Sequence, residues 1–177
     1  MRAFVAVEIP SPEGAVPRSA APEHLTLLFL GEVPPEHVSG IVTALAPVAA
    51  TLAPFDLTLE GVGAFPSPDR PRVVWVGATE GASELGELAR RVREGLLPEG
   101  AAARAETFVP HFTLFRVRSA RDRHRAKELL SGAVPPPSPR RFRVREYVLK
   151  ESILSARGAT HRTVASFPLS GPAPSSP

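Results

Sequence analysis

The chain has 177 residues, 43% of them apolar, with no cysteine and a formal net charge of +3. That length suits one compact domain, or two small halves sharing a core. No apolar run is long enough to span a bilayer, and neither a disulfide framework nor a thiolate metal site is open to it, so the cytoplasm is the expected compartment. The absence of Asn and Gln, a single Met and 21 prolines form the depletion of thermolabile side chains expected of a thermophilic protein. Charge is uneven along the chain. Nineteen of the 21 basic residues are Arg, and residues 116–145 hold nine Arg and Lys127 against Asp122 and Glu128. Such Arg density favours an anionic partner, because the guanidinium fork matches phosphate oxygens; a solvated face fits it equally well.

Residues 2–9, RAFVAVEI, read as a strand ending at Pro10 rather than as a signal peptide, since they lack a longer apolar stretch and a small-residue cleavage site. Residues 10–23 carry four prolines and cannot hold a helix of ordinary length. HLTLLFLG, 24–31, reads as a strand buried on both faces and closed by Gly31. A helix is expected over 34–49, with Pro47 disturbing its end. FDLTLEGVGAF (55–65) and PRVVWVG (71–77) read as two strands joined by a turn, followed by an amphipathic helix over 81–97 with Ser83 as a possible cap. FVPHFTLFRV (108–117) is the next strand. SARDRHRAKELL is a basic helix that Ser119 could cap. RFRVREYVLKESIL (141–154) is a strand or strand pair, THRTVASFPL (160–169) the last strand, and residues 171–177 a disordered tail.

Two of these strands repeat a pattern. HLTLL and HFTLF both read H-[LF]-T-L-[LF], and their histidines stand 87 residues apart, near half the chain. Each half offers a motif strand, a helix and a strand pair. The fold class is therefore α+β: one bilobal domain over 1–170, its two pseudo-symmetric lobes each an antiparallel sheet with helices outside, facing across a cleft.

In a strand, residues i and i+2 share a face, so His24 projects with Thr26 and His111 with Thr113. Two such units across a cleft could hold one phosphate between two imidazoles. A neutral imidazole would activate a nucleophile while a protonated one supplies the leaving oxygen with a proton, and the hydroxyls would steady charge on the non-bridging oxygens. Chance predicts about a quarter of one H-x-T in a chain of this size with five histidines and nine threonines. Three occur. The third, HRTV at 161–164, has Arg at its centre and lacks the following Leu, so His161 reads as a surface strand residue. His37 and His124 read as exposed helix residues, and Phe4 and Phe29 fit the core better than a base-stacking role. No phosphate-binding Gly-rich loop, H-E-x-x-H or two-metal acidic cluster is present in the sequence.

HLTLLFLG and HFTLFR resemble the paired HxTx motifs of the 2H phosphoesterase superfamily, most closely its RNA 2',3'-cyclic phosphodiesterase branch, also called 2'-5' RNA ligases. RAFVAVEIP, GVGAFPSPDRPRVVWVG (61–77) and ESILSARGATHRTVASFPL extend the resemblance over nearly the whole chain. It implies His24 as general acid on the ribose 3' oxygen and His111 as general base on water. It further implies that Thr26, Thr113 and Arg116 bind phosphate, and that the substrate is RNA with a 2',3'-cyclic phosphate end, handled by a monomer without metal or cofactor. The reverse step would join a 5'-hydroxyl in a 2'-5' linkage. Related readings are another 2H phosphodiesterase, acting on a 2'-5' linkage or a small cyclic nucleotide, and an RNA-binding module whose strands only hold phosphate. His161 stands where that branch often has an aromatic residue. Strict alternation sets Arg116 on the face opposite His111, so it reaches the site only if the strand twists or bulges.

Overall fold

The computed structural model of the chain describes residues 1–10, 23–97, 108–155 and 158–172. Most of the proline-rich 10–23 segment and residues 173–177 lie outside the described residues. In chain order the elements are β1 (Arg2–Ile9), β2 (Glu23–Glu32), a 3-10 turn (Pro35–His37), α1 (Val38–Ala49), β3 (Phe55–Phe65) and β4 (Val73–Ala78). They continue with α2 (Ala82–Leu96), β5 (His111–Arg116), α3 (Ala120–Leu130), β6 (Arg140–Val144), β7 (Glu146–Ser155) and β8 (Gly158–Pro168).

The strands form two antiparallel four-stranded sheets, in the orders β2-β1-β7-β8 and β5-β4-β3-β6. The α+β class and the two lobes are as the sequence implies, but the lobes are not the two halves of the chain. The first sheet is built from both ends of the chain and the second from its middle. β3 and β4 continue the sheet of β5, and RFRVREYVLKESIL breaks at Arg145 into β6 of one sheet and β7 of the other. The polar Arg-Glu step lets the strand change partners there, where neither residue has a core position to fill.

One apolar cluster runs through both lobes. Ala3, Val5, Val7 and Ile9 of β1 meet Ile41 and Leu45 of α1, and Leu85, Leu88, Val92 and Leu96 line one face of α2 at helical spacing. α1 packs on β7 and β8, α2 on β2, and α3 on β3. Tyr147 is buried and its hydroxyl donates to the Leu45 carbonyl at 2.5 Å, tying β7 to α1.

Three local expectations change. α1 starts at Val38 rather than Pro34, because Pro35–His37 form a separate 3-10 turn, and it ends at Ala49 as expected, with Pro47 in its last turn. α2 is capped by Gly81, not Ser83: the Leu85 N–H donates to the Gly81 carbonyl at 2.9 Å, and Gly81 takes φ +75°. A side chain there would place its Cβ 2.1 Å from the Asp56 carbonyl oxygen, so only glycine fits. Gly171, assigned to the tail, is held by its N–H donating to the Leu52 carbonyl at 2.9 Å. Ser119 does cap α3. Its Oγ accepts from the Asp122 N–H at 3.1 Å, and the Asp122 carboxylate accepts from the Ser119 N–H at 2.9 Å. Backbone N–H donors, from Arg118 foremost, hold that carboxyl below its usual range.

Candidate active site

Both motif strands lie at the edge of their sheets, β2 beside β1 and β5 beside β4, and the two strands approach each other. Each is bulged at the same place. In β2, Thr26 stands opposite Ala6 and Leu28 opposite Val5, leaving Leu27 as the extra residue. In β5, Thr113 stands opposite Trp75 and Phe115 opposite Val74, leaving Leu114. The leucine that follows each H-x-T is thus the bulged residue, and the bulge reverses the alternation after it, through Arg116 in β5 and as far as Phe29 in β2, where a second shift skips Leu30. Leu25 and Leu27 face the core while His24 and Thr26 are half-buried, so β2 is not buried on both faces as its apolar run implied. An edge strand can pair on one side only, and its polar residues mark the face turned away from the helices.

That reversal resolves the position of Arg116. It pairs with Val73, which shares a face with Trp75 and hence with Thr113. Arg116 is exposed at the end of the strand, on the face that carries His111 and Thr113. The residue at the same place in the first motif is Phe29, opposite Phe4. It is 68% exposed, contrary to its reading as core.

His111 is set by its neighbours. Its Nδ1–H donates to the Val109 carbonyl at 2.7 Å. A carbonyl only accepts, so this bond assigns the proton to Nδ1 and leaves Nε2 of the neutral ring as an acceptor. The Phe65 ring stands edge-on at 4.9 Å and Trp75 at 6.1 Å, fixing the plane of the imidazole. Trp75 in turn lies over Gly63, where any Cβ would fall 2.2 Å from the indole.

His24 is also backed by rings, and one of them is His161. Phe4 lies 5.0 Å from His24, and His161 meets His24 edge-on at 4.8 Å and Phe4 at 5.1 Å. His161 is therefore not the surface strand residue expected; the sheet brings the third H-x-T beside the first. Burial and then the charge of Lys150 push the His161 imidazole below its usual range, favouring its neutral form. Phe4 is buried as expected, but with Ala6 and Val148 in a small cluster apart from the main core.

Beneath these rings runs a polar group that the motifs do not reveal. Lys150 is fully buried and ion-paired to Glu8, and its Nζ donates to Thr163 Oγ1 at 3.2 Å. Thr163 Oγ1 donates to Glu8 Oε1 at 3.2 Å. Glu8 stands directly opposite His24 in the β1–β2 ladder. A lysine inside the apolar run EYVLKESIL was the available signal, since a buried cation requires a partner. Arg140 of β6 pairs with Glu23, immediately before His24, and also donates to the Pro10 carbonyl at 2.8 Å, joining the second sheet to the start of the first motif. His37 and His124 stay on the surface, His124 near Glu128 at 3.4 Å.

The two contacting strands, equivalent in pattern and bulge, each carry a histidine and a threonine on one face, the residue types that acid–base chemistry at a phosphate requires. The 2'-5' RNA ligase superfamily matches the chain over residues 12–152. The chain belongs to that superfamily. It is 40% identical over 147 residues to the RNA 2',3'-cyclic phosphodiesterase of Archaeoglobus fulgidus, covering 81% of this chain and 78% of the relative. It is 38% identical over 143 residues to the RNA 2',3'-cyclic phosphodiesterase of Aeropyrum pernix, with 80% and 78% covered. Among solved structures, a Thermus thermophilus protein matches with TM-score 0.73 and 29% identity over 97% of this chain and 99% of that one. E. coli LigT complexed with 3'-AMP matches with TM-score 0.71 and 27% identity, over 95% and 97%. The resemblance carried by the two HxT strands is borne out, and the two-lobed superfamily fold with it.

Proposed function

We propose that the protein hydrolyses RNA 2',3'-cyclic phosphate ends to 2'-phosphates, in the cytoplasm, as a monomer. The observation that carries this reading is the matched pair of contacting edge strands, each with His and Thr on one face and each bulged at the next leucine. The relatives' activity on RNA 2',3'-cyclic phosphates agrees with it.

His111 takes the part of general base. Its Nδ1–H is held by the Val109 carbonyl, so Nε2 accepts a proton from the attacking water. The water oxygen bonds to phosphorus, the bond from phosphorus to the ribose 3' oxygen breaks, and protonated His24 gives its proton to that oxygen. The product carries a 2'-phosphate and a free 3'-hydroxyl, and the two histidines end with their protonation exchanged. Thr26 and Thr113 donate to the non-bridging oxygens, and Arg116 stabilises their charge from the end of β5. The exposed Phe29 ring beside Phe4 offers a stacking face to the terminal base. The two imidazoles supply both proton transfers, so the scheme uses no metal. Run backwards with a 5'-hydroxyl as acceptor, the same groups would form a 2'-5' linkage.

The test is turnover of a short RNA ending in a 2',3'-cyclic phosphate, in excess EDTA, with product identified by mass and phosphorus NMR. Wild type is expected to give the 2'-phosphate. Binding without turnover would instead favour a phosphate-binding module, and turnover that EDTA abolishes would remove the metal-free scheme.

A further inference from the structure

Beyond the cleft, the turn between β3 and β4 and the adjoining face of α3 enclose a groove of about 660 Å³. Its walls carry Arg70 and Arg72 from the turn and Arg123 and Lys127 from α3, with Asp69 as the acid among them. Pro68, Pro71 and Leu130 give it an apolar floor. We infer that this groove binds the sugar-phosphate chain of an RNA substrate, upstream of the cyclic end held by the two histidines. The inference rests on the function proposed above and specifies its substrate as a polynucleotide rather than a cyclic mononucleotide.

What sets this groove apart is the convergence of four cations on one concavity, since among the described residues Arg116, Arg118 and Arg121 also make no ion pair but do not line it. Arg90 and Arg91 pair with Glu87, Arg140 with Glu23, Arg141 and Arg143 with Asp56, and Arg162 with Glu151. Among the described residues, none of the four groove cations makes an ion pair. Four cations against the single carboxylate of Asp69 leave one concavity with a net positive field that a row of phosphates would satisfy. Arg123 and Lys127 are four apart on α3 and share one face of it. The turn is held firmly: the Arg72 N–H donates to the Phe65 carbonyl at 2.7 Å and the Val117 N–H to the Arg72 carbonyl at 2.9 Å.

The groove is also joined to the site. Phe65, which braces His111, is the residue from which the turn departs, and Arg116 pairs with Val73, next to Arg72. With Leu114 bulged out, His111 and Arg116 stand opposite Gly77 and Val73, about 13 Å apart at the usual strand rise of ~3.3 Å per residue. A chain running on from the phosphate that the histidines and Arg116 hold therefore passes Arg72 and enters the groove. A mononucleotide is too short to follow it.

The experiment compares cyclic-phosphate-ended RNAs of one, two, four and eight nucleotides as substrates for wild type and for the triple variant Arg70→Ala, Arg123→Ala, Lys127→Ala. Wild type is expected to show KM falling at least about tenfold from the mononucleotide to the octamer. In the variant, kcat/KM should fall at least about tenfold more for the octamer than for the mononucleotide. The plot of log KM against log salt for the octamer should be shallower by about 2. A wild-type KM independent of length, or equal losses on long and short substrates, would overturn the inference. Should no length be hydrolysed, the proposed function fails. Binding of an octamer with a plain 3'-phosphate, followed by fluorescence anisotropy, then decides the groove alone: an unchanged Kd in the variant overturns it.

Discussion

β2 and β5 share an edge position, a sequence pattern and a bulge at the same leucine, yet they surround their histidines differently. His111 sits against Phe65 and Trp75, with a backbone carbonyl fixing its tautomer. His24 sits against Phe4 and a second histidine, above the ion pair of buried Lys150 with half-buried Glu8. After the bulge, one strand presents Arg116 and the other Phe29. The backbone repeat accounts for a histidine and a threonine sharing one face on each of two contacting strands. The differing neighbours fit the two roles proposed, with an exposed cation at the end of one strand and an exposed aromatic face on the other.

Several substitutions would break or sharpen this comparison. The largest effects belong to the histidines themselves: His24→Ala and His111→Ala should each lower kcat by about 10²–10⁴-fold with the fold retained by circular dichroism. Near-wild-type turnover in either would break the equivalence of the two strands. Next comes Glu8→Ala, which strands Lys150 as a buried unpaired cation and should cost about 3 kcal/mol in urea unfolding. Glu8→Leu with Lys150→Met should recover most of that loss; if it does not, the pair does more than neutralise itself. Arg116→Ala should raise KM about tenfold, the worth of one charge-assisted hydrogen bond to phosphate, and the equivalent Phe29→Ala should leave the salt dependence of KM unchanged.

The smallest effect concerns His161. Its folded-state pKa is depressed, so the unfolded chain binds more protons, and stability rises with pH across that window. The contribution is complete above the usual histidine value near 6.5 and is lost as pH falls through the lower folded value. His161→Phe keeps a ring against Phe4 and His24 and removes this titration. Its Tm should therefore fall less than that of wild type between pH 7 and pH 5; an equal fall would assign the loss to other groups.

Much of the site was legible in the sequence, because H-x-T on an apolar strand is a local pattern with a local consequence. Strand periodicity puts His24 with Thr26 and His111 with Thr113, and no tertiary contact is needed to say so. The bulges were not legible: whether Leu27 and Leu114 pair or are skipped depends on β1 and β4, and that choice decides where Phe29 and Arg116 point. The position of His161 depends on β8 lying in the same sheet as β2, four strands across, which its neighbours in sequence do not encode. Lobe membership failed for the same reason. A repeat in motif order suggested two chain halves, whereas pairing of β7 with β1 closes the first sheet from both ends of the chain.

The most direct measurement of the central claim is the pH dependence of kcat/KM on an RNA ending in a 2',3'-cyclic phosphate, between pH 4 and pH 9. One neutral and one protonated imidazole acting together predict a bell, falling on the acid side as the base is protonated and on the alkaline side as the acid loses its proton. In His111→Ala the acid limb should vanish from the residual rate while the alkaline limb remains. A wild-type profile that rises or falls monotonically through the imidazole range would contradict a mechanism shared between His24 and His111.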